Sequence, residues 1–307
     1  MPRKEMPLTL LEAVVYFADL NTATEFVANL RWPNGPVCPN CEGTEHYYLA
    51  KRHVWKCKLC KKQFSVKVGT IFEDSPLSLS KWLPAVWLLA NSKNGVSSPE
   101  LARALGITQK SAWFMLHRIR EAMRNGSLDK IDGVVEVDET FVGGINKNMH
   151  ADKRAALNAS KGGAGKTIIA GVLERGGSVR AKIVPDRTAK TLQGLIAENL
   201  VEDSTVYTDS YSSYATTRFR YEHGMVDHSI GEYVNGLIHT NGIESFWALL
   251  KRSLKGTYIS IDAKHLQRYV DERVFAFNNR NEHDLYRMAV VLTQITGRRL
   301  TYKELTA

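Results

Sequence analysis

Apolar positions along this chain change their period several times, and each change marks a new structural block. From about residue 8 to 30 they recur at helical spacing, with Leu10, Leu11, Val14, Val15 and Phe17 in one run and Phe26, Val27 and Leu30 in the next. Residues 31–36, RWPNGP, end this pattern with two prolines and a glycine. Short β-type runs follow at residues 46–49, 54–58 and 63–67. Residues 77–91, rich in Trp, Leu and Ala, predict a buried helix. SSPE, residues 97–100, opens another, with Ser98 as N-cap and Pro99 at the first helical position. That helix carries Leu101, Ala102 and Leu105. Gly106 then turns the chain, Thr108 caps, and a further helix directs Ala112, Trp113, Leu116 and Ile119 inward.

The second half switches to period two. VVEVDETFVGG, residues 134–144, alternates apolar and acidic side chains in a β-branched run, a strand with Glu136 and Asp138 on one face and Glu139 on the other. Two more strands, 167–173 and 179–184, flank a turn at Gly176 and Gly177. Residues 189–200 are helical, and STVYTDSY, residues 204–211, is a strand running into Asp209. A long helix starting near Asn241 includes Glu244 beside an apolar face of Ile243, Phe246, Trp247, Leu250 and Leu254. Three strands, a helix, a fourth strand with a terminal Asp and a late helix with a Glu match the layout of the RNase H-like nucleotidyl-transfer fold. The expected architecture is an α+β multidomain chain. Its parts are an N-terminal helical segment (1–36), a zinc ribbon (37–68), a helix-turn-helix segment (69–128), a mixed-sheet RNase H-like catalytic core (129–290) and a C-terminal tail (291–307).

The ribbon rests on the four cysteines of the chain, Cys38, Cys41, Cys57 and Cys60, two C-x2-C turns with fifteen residues between them. That is the spacing of a tetrahedral zinc site, and four thiolates leave no open position, so the metal is structural. Two disulfides in a secreted protein are the competing reading. Against it, Glu12 and Asp19 interrupt the short apolar stretch at the N-terminus, and no small-residue cleavage site follows. His46 and His53, between the pairs, are better read as surface than as replacement ligands. No apolar run is long enough to cross a membrane.

Charge points to a polyanion. The 307 residues carry 41 basic and 32 acidic side chains, a net charge of +9. Between His46 and Glu73 stand Lys51, Arg52, Lys56, Lys58, Lys61, Lys62 and Lys67 with no acid among them, interleaved with Trp55 and Phe64. Such a surface suits nucleic acid, and Lys58, Lys61 and Lys62 are the candidate phosphate contacts. Helix, glycine-containing turn and helix over 98–123 is the helix-turn-helix outline, which puts Gln109, Lys110, Ser111 and His117 toward the major groove.

Three carboxylates from distant points of the chain suit phosphodiester chemistry. Two divalent ions about 4 Å apart activate the attacking oxygen and neutralise the leaving one, and they need one shared carboxylate with others flanking it. Hard Mg²⁺ or Mn²⁺ prefers such oxygen ligands. Asp138 on a central strand would bridge, Asp209 and Glu244 would flank, and Lys251 and Lys255 follow Glu244 at two and three helical turns, facing DNA. Asn241, at the helix start, is assigned to capping, and Glu139 to the wrong face of its strand.

RWPNGPVCPNC, KCKLCKKQFSVKVGTIFEDS, SSPELARALGITQKSAWFMLHRIREAM, VVEVDETFVGG, VYTDSYSSY and HTNGIESFWALLKRSLKGTY together resemble the successive signatures of bacterial insertion-sequence transposases with an N-terminal zinc ribbon and a DDE-type catalytic domain. The resemblance runs from about residue 20 to residue 290. It implies Mg²⁺-dependent cleavage at element ends and attack of the freed 3′-OH on target DNA. It also implies double-stranded DNA as partner, a homo-oligomer in the synaptic complex, and a cytoplasmic, nucleoid-associated location. The family's first and second aspartates fall on Asp138 and Asp209, its third acid on Glu244 and its basic helix residue on Lys251. Two other readings compete: a domesticated zinc-ribbon and helix-turn-helix regulator without catalysis, and an RNase H-like nuclease that cuts without joining. KGGAGKT, residues 161–167, imitates a phosphate loop, but Ser160 stands where its first glycine belongs and a strand follows it. The basic stretch 143–166, with Lys147, Lys153, Arg154, Lys161 and Lys166, is read as a loop that orders on DNA.

Overall fold

The computed structural model describes residues 5–124, 129–143 and 165–307. The chain divides into two compact units, one of Met1–Arg124 with Asn279–Ala307 and one of Asn125–Asn278. Residues 144–164 of the basic stretch 143–166, and with them most of KGGAGKT, lie outside the described residues; Thr167, the last residue of that motif, opens a strand.

The first unit begins with α1 (Leu10–Ala18) and α2 (Leu20–Arg31). Thr9 and Glu12 form a reciprocal capping box on α1, and Asp19 caps α2. Helix α1 is apolar nearly all round, yet only Ala13 and Phe17 face inward; Leu11, Val14 and Val15 stay exposed, Leu11 by 74%. Its apolar residues are therefore not all core, contrary to the periodicity. Three antiparallel strands follow: β1 (His46–Leu49), β2 (Val54–Cys57) and β3 (Gln63–Phe64). Trp55 and Phe64 are buried here, stacked on each other and edge-on to Trp32. They are the core of the small sheet and not a nucleic-acid surface, because a sheet of this size has few other apolar side chains to bury. The exposed aromatics are Tyr47 and Tyr48.

Helix α3 (Leu79–Asn91) is the centre of this unit, and its Trp82, Leu83, Val86 and Trp87 are buried. It packs against α1, α2 and α5 (Gln109–Met123). Helix α4 (Ser98–Leu105) is capped by Ser97, one residue earlier than the sequence indicates. Its hydroxyl accepts from the Glu100 N–H while the Glu100 carboxylate accepts from the Ser97 N–H. Gly106 then adopts a left-handed φ of 59° and Thr108 caps α5.

The second unit is built on a five-stranded sheet. Its strands are β4 (Val134–Val142), β5 (Thr167–Glu174), β6 (Val179–Val184), β7 (Thr205–Asp209) and β8 (Glu222–Val226), in the order β6-β5-β4-β7-β8. β5 runs antiparallel to both of its neighbours, β4 and β6, whereas β4, β7 and β8 run parallel. One face packs α6 (Ala189–Asn199) over Val135, Val137, Ala170, Val172 and Val206. The other packs α7 (Asn241–Ser253) and α8 (Leu266–Asn278) over Ile169, Leu173 and Val179. Strand β8 and helix α8 have no counterpart in the sequence expectation.

The last helices, α9 (Asp284–Thr293) and α10 (Tyr302–Thr306), belong to the first unit. Met288, Val291 and Leu292 of α9 are buried, and α9 packs on α3 and α2. The expected boundary at 290 and free tail 291–307 are therefore corrected: the second unit ends at Asn278. An apolar stripe on α9 needs a partner, and α3 supplies one.

Candidate functional site

The four cysteine sulfurs lie within 4.8 Å of one another, the only such group of metal-ligating side chains among the described residues. Cys38 to Cys60 is 3.7 Å and Cys41 to Cys57 is 3.6 Å. Tetrahedral zinc with Zn–S near 2.3 Å sets its sulfurs about 3.8 Å apart, so the donors fit the ion in both chemistry and spacing. Each turn is made the same way. Glu42 and Lys61, directly after the second cysteine of each pair, hold left-handed φ values of 58° and 62°. The first cysteine of each pair donates its N–H across the turn, Cys38 to Gly43 and Cys57 to Lys62. His46 turns its Nδ1 to the Thr44 carbonyl and is not a ligand.

Of the basic residues in this segment, Lys58, Lys61 and Lys62 are exposed, as are Lys51, Arg52 and Lys56. Lys58 reaches Glu45 at 3.4 Å and Lys62 donates to Asn40. Lys67 differs: its ammonium donates to the carbonyls of Ser75 and Leu77, and burial lowers its pKa. It ties a loop. On α5, Gln109 and Lys110 are exposed and Ser111 is half-buried, as a reading end requires. The Lys110 ammonium lies 4.6 Å from the Tyr302 ring centre. His117 is corrected: it is 0% exposed, 4.5 Å from the Trp113 ring, and cannot face a groove. Eight residues beyond Gln109, α5 has rotated so that position 117 joins the face buried with Leu116 and Arg120.

In the second unit, the register sets the acids. Glu136 pairs with Tyr207 across the parallel β4–β7 ladder, and two residues further along each strand lead to Asp138 and Asp209 on the same face. Burial pushes the Asp138 carboxyl up to about 7, with the Glu139 and Asp209 charges adding to the effect. Glu139 faces the other way, bonded to Arg187 at 3.0 Å and to the Tyr214 hydroxyl at 2.8 Å. Asp209 accepts from the Tyr211 N–H at 3.0 Å.

Helix α7 is fastened to β4 at two points. The Ile243 N–H donates to Glu136 Oε2 at 3.0 Å, and Trp247 Nε1–H donates to Asp138 Oδ2 at 3.0 Å. Glu136 is 1% exposed and also meets Arg175 Nε at 2.9 Å and His239 Nδ1 at 3.3 Å. Arg175 in turn donates to the Leu237 and His239 carbonyls, which fixes the chain entering α7. Sequence reasoning missed Glu136 as a structural partner. The signal was present: a second acid, two residues before Asp138, inside the same apolar strand.

Residues 130–278 match the ISXO2-like transposase domain and residues 21–63 match a transposase zinc-ribbon domain. An uncharacterized protein in transposable element ISH50 of Halobacterium salinarum is 29% identical over 255 residues, 78% of this chain and 84% of that protein. An uncharacterized transposase-like protein of Haemophilus influenzae is 33% identical over 98 residues, 32% of this chain and 78% of that protein. The chain belongs to the insertion-sequence transposases with an N-terminal zinc ribbon. The zinc-ribbon match ends at position 63, within β3, so family and structure agree on the four-cysteine zinc site.

In this transposase Glu244 stands on the first turn of α7, 44% exposed at the side chain. It accepts from the Thr240 hydroxyl at 3.0 Å and meets His228 Nε2 at 3.3 Å, and its ligand atom is not clustered with those of the two aspartates. The N-cap of α7 is Thr240 and not Asn241, which is exposed within the first turn. Lys251 is half-buried near the helix end. Lys255 falls in a π-helical turn, Leu254–Tyr258, that follows α7. It is exposed.

Proposed function

We propose that this transposase binds the ends of its element through the first unit and cleaves and joins DNA strands at Asp138, Asp209 and Glu244. The observation that carries the reading is the placement of Asp138 and Asp209 on one sheet face, on adjacent parallel strands, under the helix that bears Glu244. The strand order, with the fourth and fifth strands parallel to the first, supports an RNase H-like core. Asp138, Asp209 and Glu244 would hold Mg²⁺ or Mn²⁺. Those ions, when bound, supply charge stabilisation to the attacking and leaving oxygens of the phosphodiester. The Asp138 carboxyl fits this role: burial first, then the Glu139 and Asp209 charges, raise its pKa to about 7, and a bound divalent cation would offset both effects. Glu244, on an exposed helical turn, would reach the ions by turning its side chain away from His228 and Thr240. Exposed Lys255, together with Lys58, Lys61, Lys62, Gln109, Lys110 and Ser111, contacts DNA.

The test is cleavage and joining of labelled element ends in Mg²⁺ by the purified chain. Asp138→Asn, Asp209→Asn and Glu244→Gln each abolish both steps while end binding persists, since the readers on α5 and the ribbon are untouched. Activity near wild type in any one of these variants removes that residue from the site. Addition of an oligonucleotide with a free 3′-OH separates transposition from hydrolysis: a transposase joins it to target, a nuclease does not.

A further inference from the structure

We propose that Trp247 is a positioning residue for Asp138, its indole N–H fixing the rotation of that carboxylate, and that Gly171 is the slot that admits the indole. The inference rests on the reading of Asp138 as a metal-binding carboxylate.

Asp138 and Gly171 are direct partners in the antiparallel β4–β5 ladder, so their side-chain positions share one face. Gly171 has an ordinary φ, and conformational freedom does not explain it. Space does. A Cβ there would stand 2.9 Å from Trp247 Cη2, 3.1 Å from Cζ2 and 3.1 Å from the Arg180 carbonyl. The benzo edge of the indole thus lies over the bare backbone at 171, and the adjoining Nε1–H reaches Asp138 Oδ2 at 3.0 Å. The ring is held among Ile169, Leu173, Ile243, Phe246 and Leu250 and is 4% exposed, so it has no freedom to swing away.

The chemistry of this donor matters. A carboxylate has about four lone-pair positions. A hydrogen bond to Oδ2 uses one of these and sets the angle of the carboxylate plane, and even with the Glu139 backbone bond to the same carboxyl, others remain for ligation. A lysine or arginine in this position would also fix the plane, but its charge would compete with a divalent cation. A hydroxyl would be neutral but free to rotate. Indole is a neutral donor with no acceptor function, held rigidly by its own packing. Partners of this kind around metal ligands are worth roughly 10–100-fold in affinity.

The experiment measures Mn²⁺ binding to the full-length, zinc-loaded protein by electron paramagnetic resonance, without DNA, alongside cleavage of element ends. Trp247→Phe keeps an aromatic ring and removes the N–H; it weakens Mn²⁺ binding by roughly tenfold or more, and raised Mn²⁺ restores part of the lost cleavage rate. Gly171→Ala keeps the N–H but displaces the ring, and it gives the same defect. Ile196→Val opens the core on the other face of the sheet, away from Trp247, and leaves Mn²⁺ affinity within about twofold of wild type. Asp138→Asn abolishes binding at the site. Wild-type Mn²⁺ affinity in Trp247→Phe, with Asp138→Asn dead, overturns the inference alone. An equal loss in Ile196→Val also overturns it, since the effect is then one of general packing. Wild-type binding in Asp138→Asn overturns the underlying reading of the carboxylate itself.

Discussion

Replacing Glu136 by alanine separates a structural acid from the proposed catalytic ones, and its cost can be worked from the contacts. The carboxylate is 1% exposed and serves three groups: Arg175 Nε, His239 Nδ1 and the Ile243 N–H. Removing one member of a buried ion pair typically costs about 3–5 kcal/mol, because the partner is left desolvated without compensation. Arg175 lowers that figure here. Its side chain is 23% exposed, and it keeps the Leu237 and His239 carbonyls as acceptors. Losing the cap on α7 adds about 1 kcal/mol, since the Ile243 N–H has no intrahelical acceptor. Together these give about 3 kcal/mol for Glu136→Ala. For a unit of roughly 150–250 residues that lowers its melting temperature by about 6–12 °C. Glu136→Gln retains a neutral acceptor for Ile243 and loses only the charge, so it costs about half as much. Calorimetry resolves the second unit's transition, and a cycle with Arg175→Met isolates the pair. Glu136→Ala within about 0.5 kcal/mol of wild type would refute the argument, as would a glutamine variant less stable than the alanine one. The neighbouring Gly242 gives an independent check. A Cβ there would lie 2.8 Å from Glu136 Oε2, so Gly242→Ala pushes carboxylate and helix apart and destabilises in the same direction.

Three further outcomes follow from the first unit. Chelating zinc, or Cys57→Ser, unfolds the ribbon around Trp55 and Phe64 and weakens end binding, while the five-stranded sheet keeps its far-ultraviolet circular dichroism; loss of the whole signal in one step refutes this independence. Lys110→Ala reduces discrimination between cognate and random DNA, and Lys58→Ala weakens both alike with a shallower salt dependence; equal losses on the two DNAs for Lys110→Ala count against α5 as the reading helix. Ser97→Ala removes the hydroxyl of the α4 capping box and costs about 1 kcal/mol in urea unfolding, and no change there places the cap elsewhere.

Sequence made legible those features whose cause is local. The strand at 134–142, the turn at Gly176 and the hairpin partner at 179–184 follow from alternation and turn chemistry, and all are present. The four cysteines converge because each pair is closed by its own short turn. What depends on distant neighbours was harder. Trp55 and Trp113 carry no local sign of which side is covered; the first is buried under Trp32, and the second is only half-buried. His117 looked polar and hence outward, but the three-dimensional packing of α5 buries it. The return of 279–307 to the first unit is invisible to periodicity, since an amphipathic helix shows that it needs a partner and not which one. β8 was hidden because its EHGMV sequence, on a sheet edge, is polar and glycine-containing and lacks strand alternation.

The two fastenings of α7 to β4 also explain why the catalytic candidates fall where they do. Two residues along a strand advance about 6.7 Å, and four residues along a helix advance about 6 Å. Glu136 and Asp138 are two apart; Ile243 and Trp247, which bond to them in the same order, are four apart. The near match lets the helix lie along the strand in the same direction with both bonds made at once. Glu244, one residue past the first fastening, is then rotated by about 100° from Ile243 and stands beside the aspartate face without being buried in it. A carboxylate so placed is fixed in backbone position while its side chain, held by Thr240 and His228, stays at the surface, which suits the proposed metal-binding role. Shifting the helix by one residue would break both fastenings together and carry Glu244 to another face. The spacing of an acid pair on a strand and of an amide and an indole on a helix thus sets the location of the third acid, although none of those partners is itself one of the three.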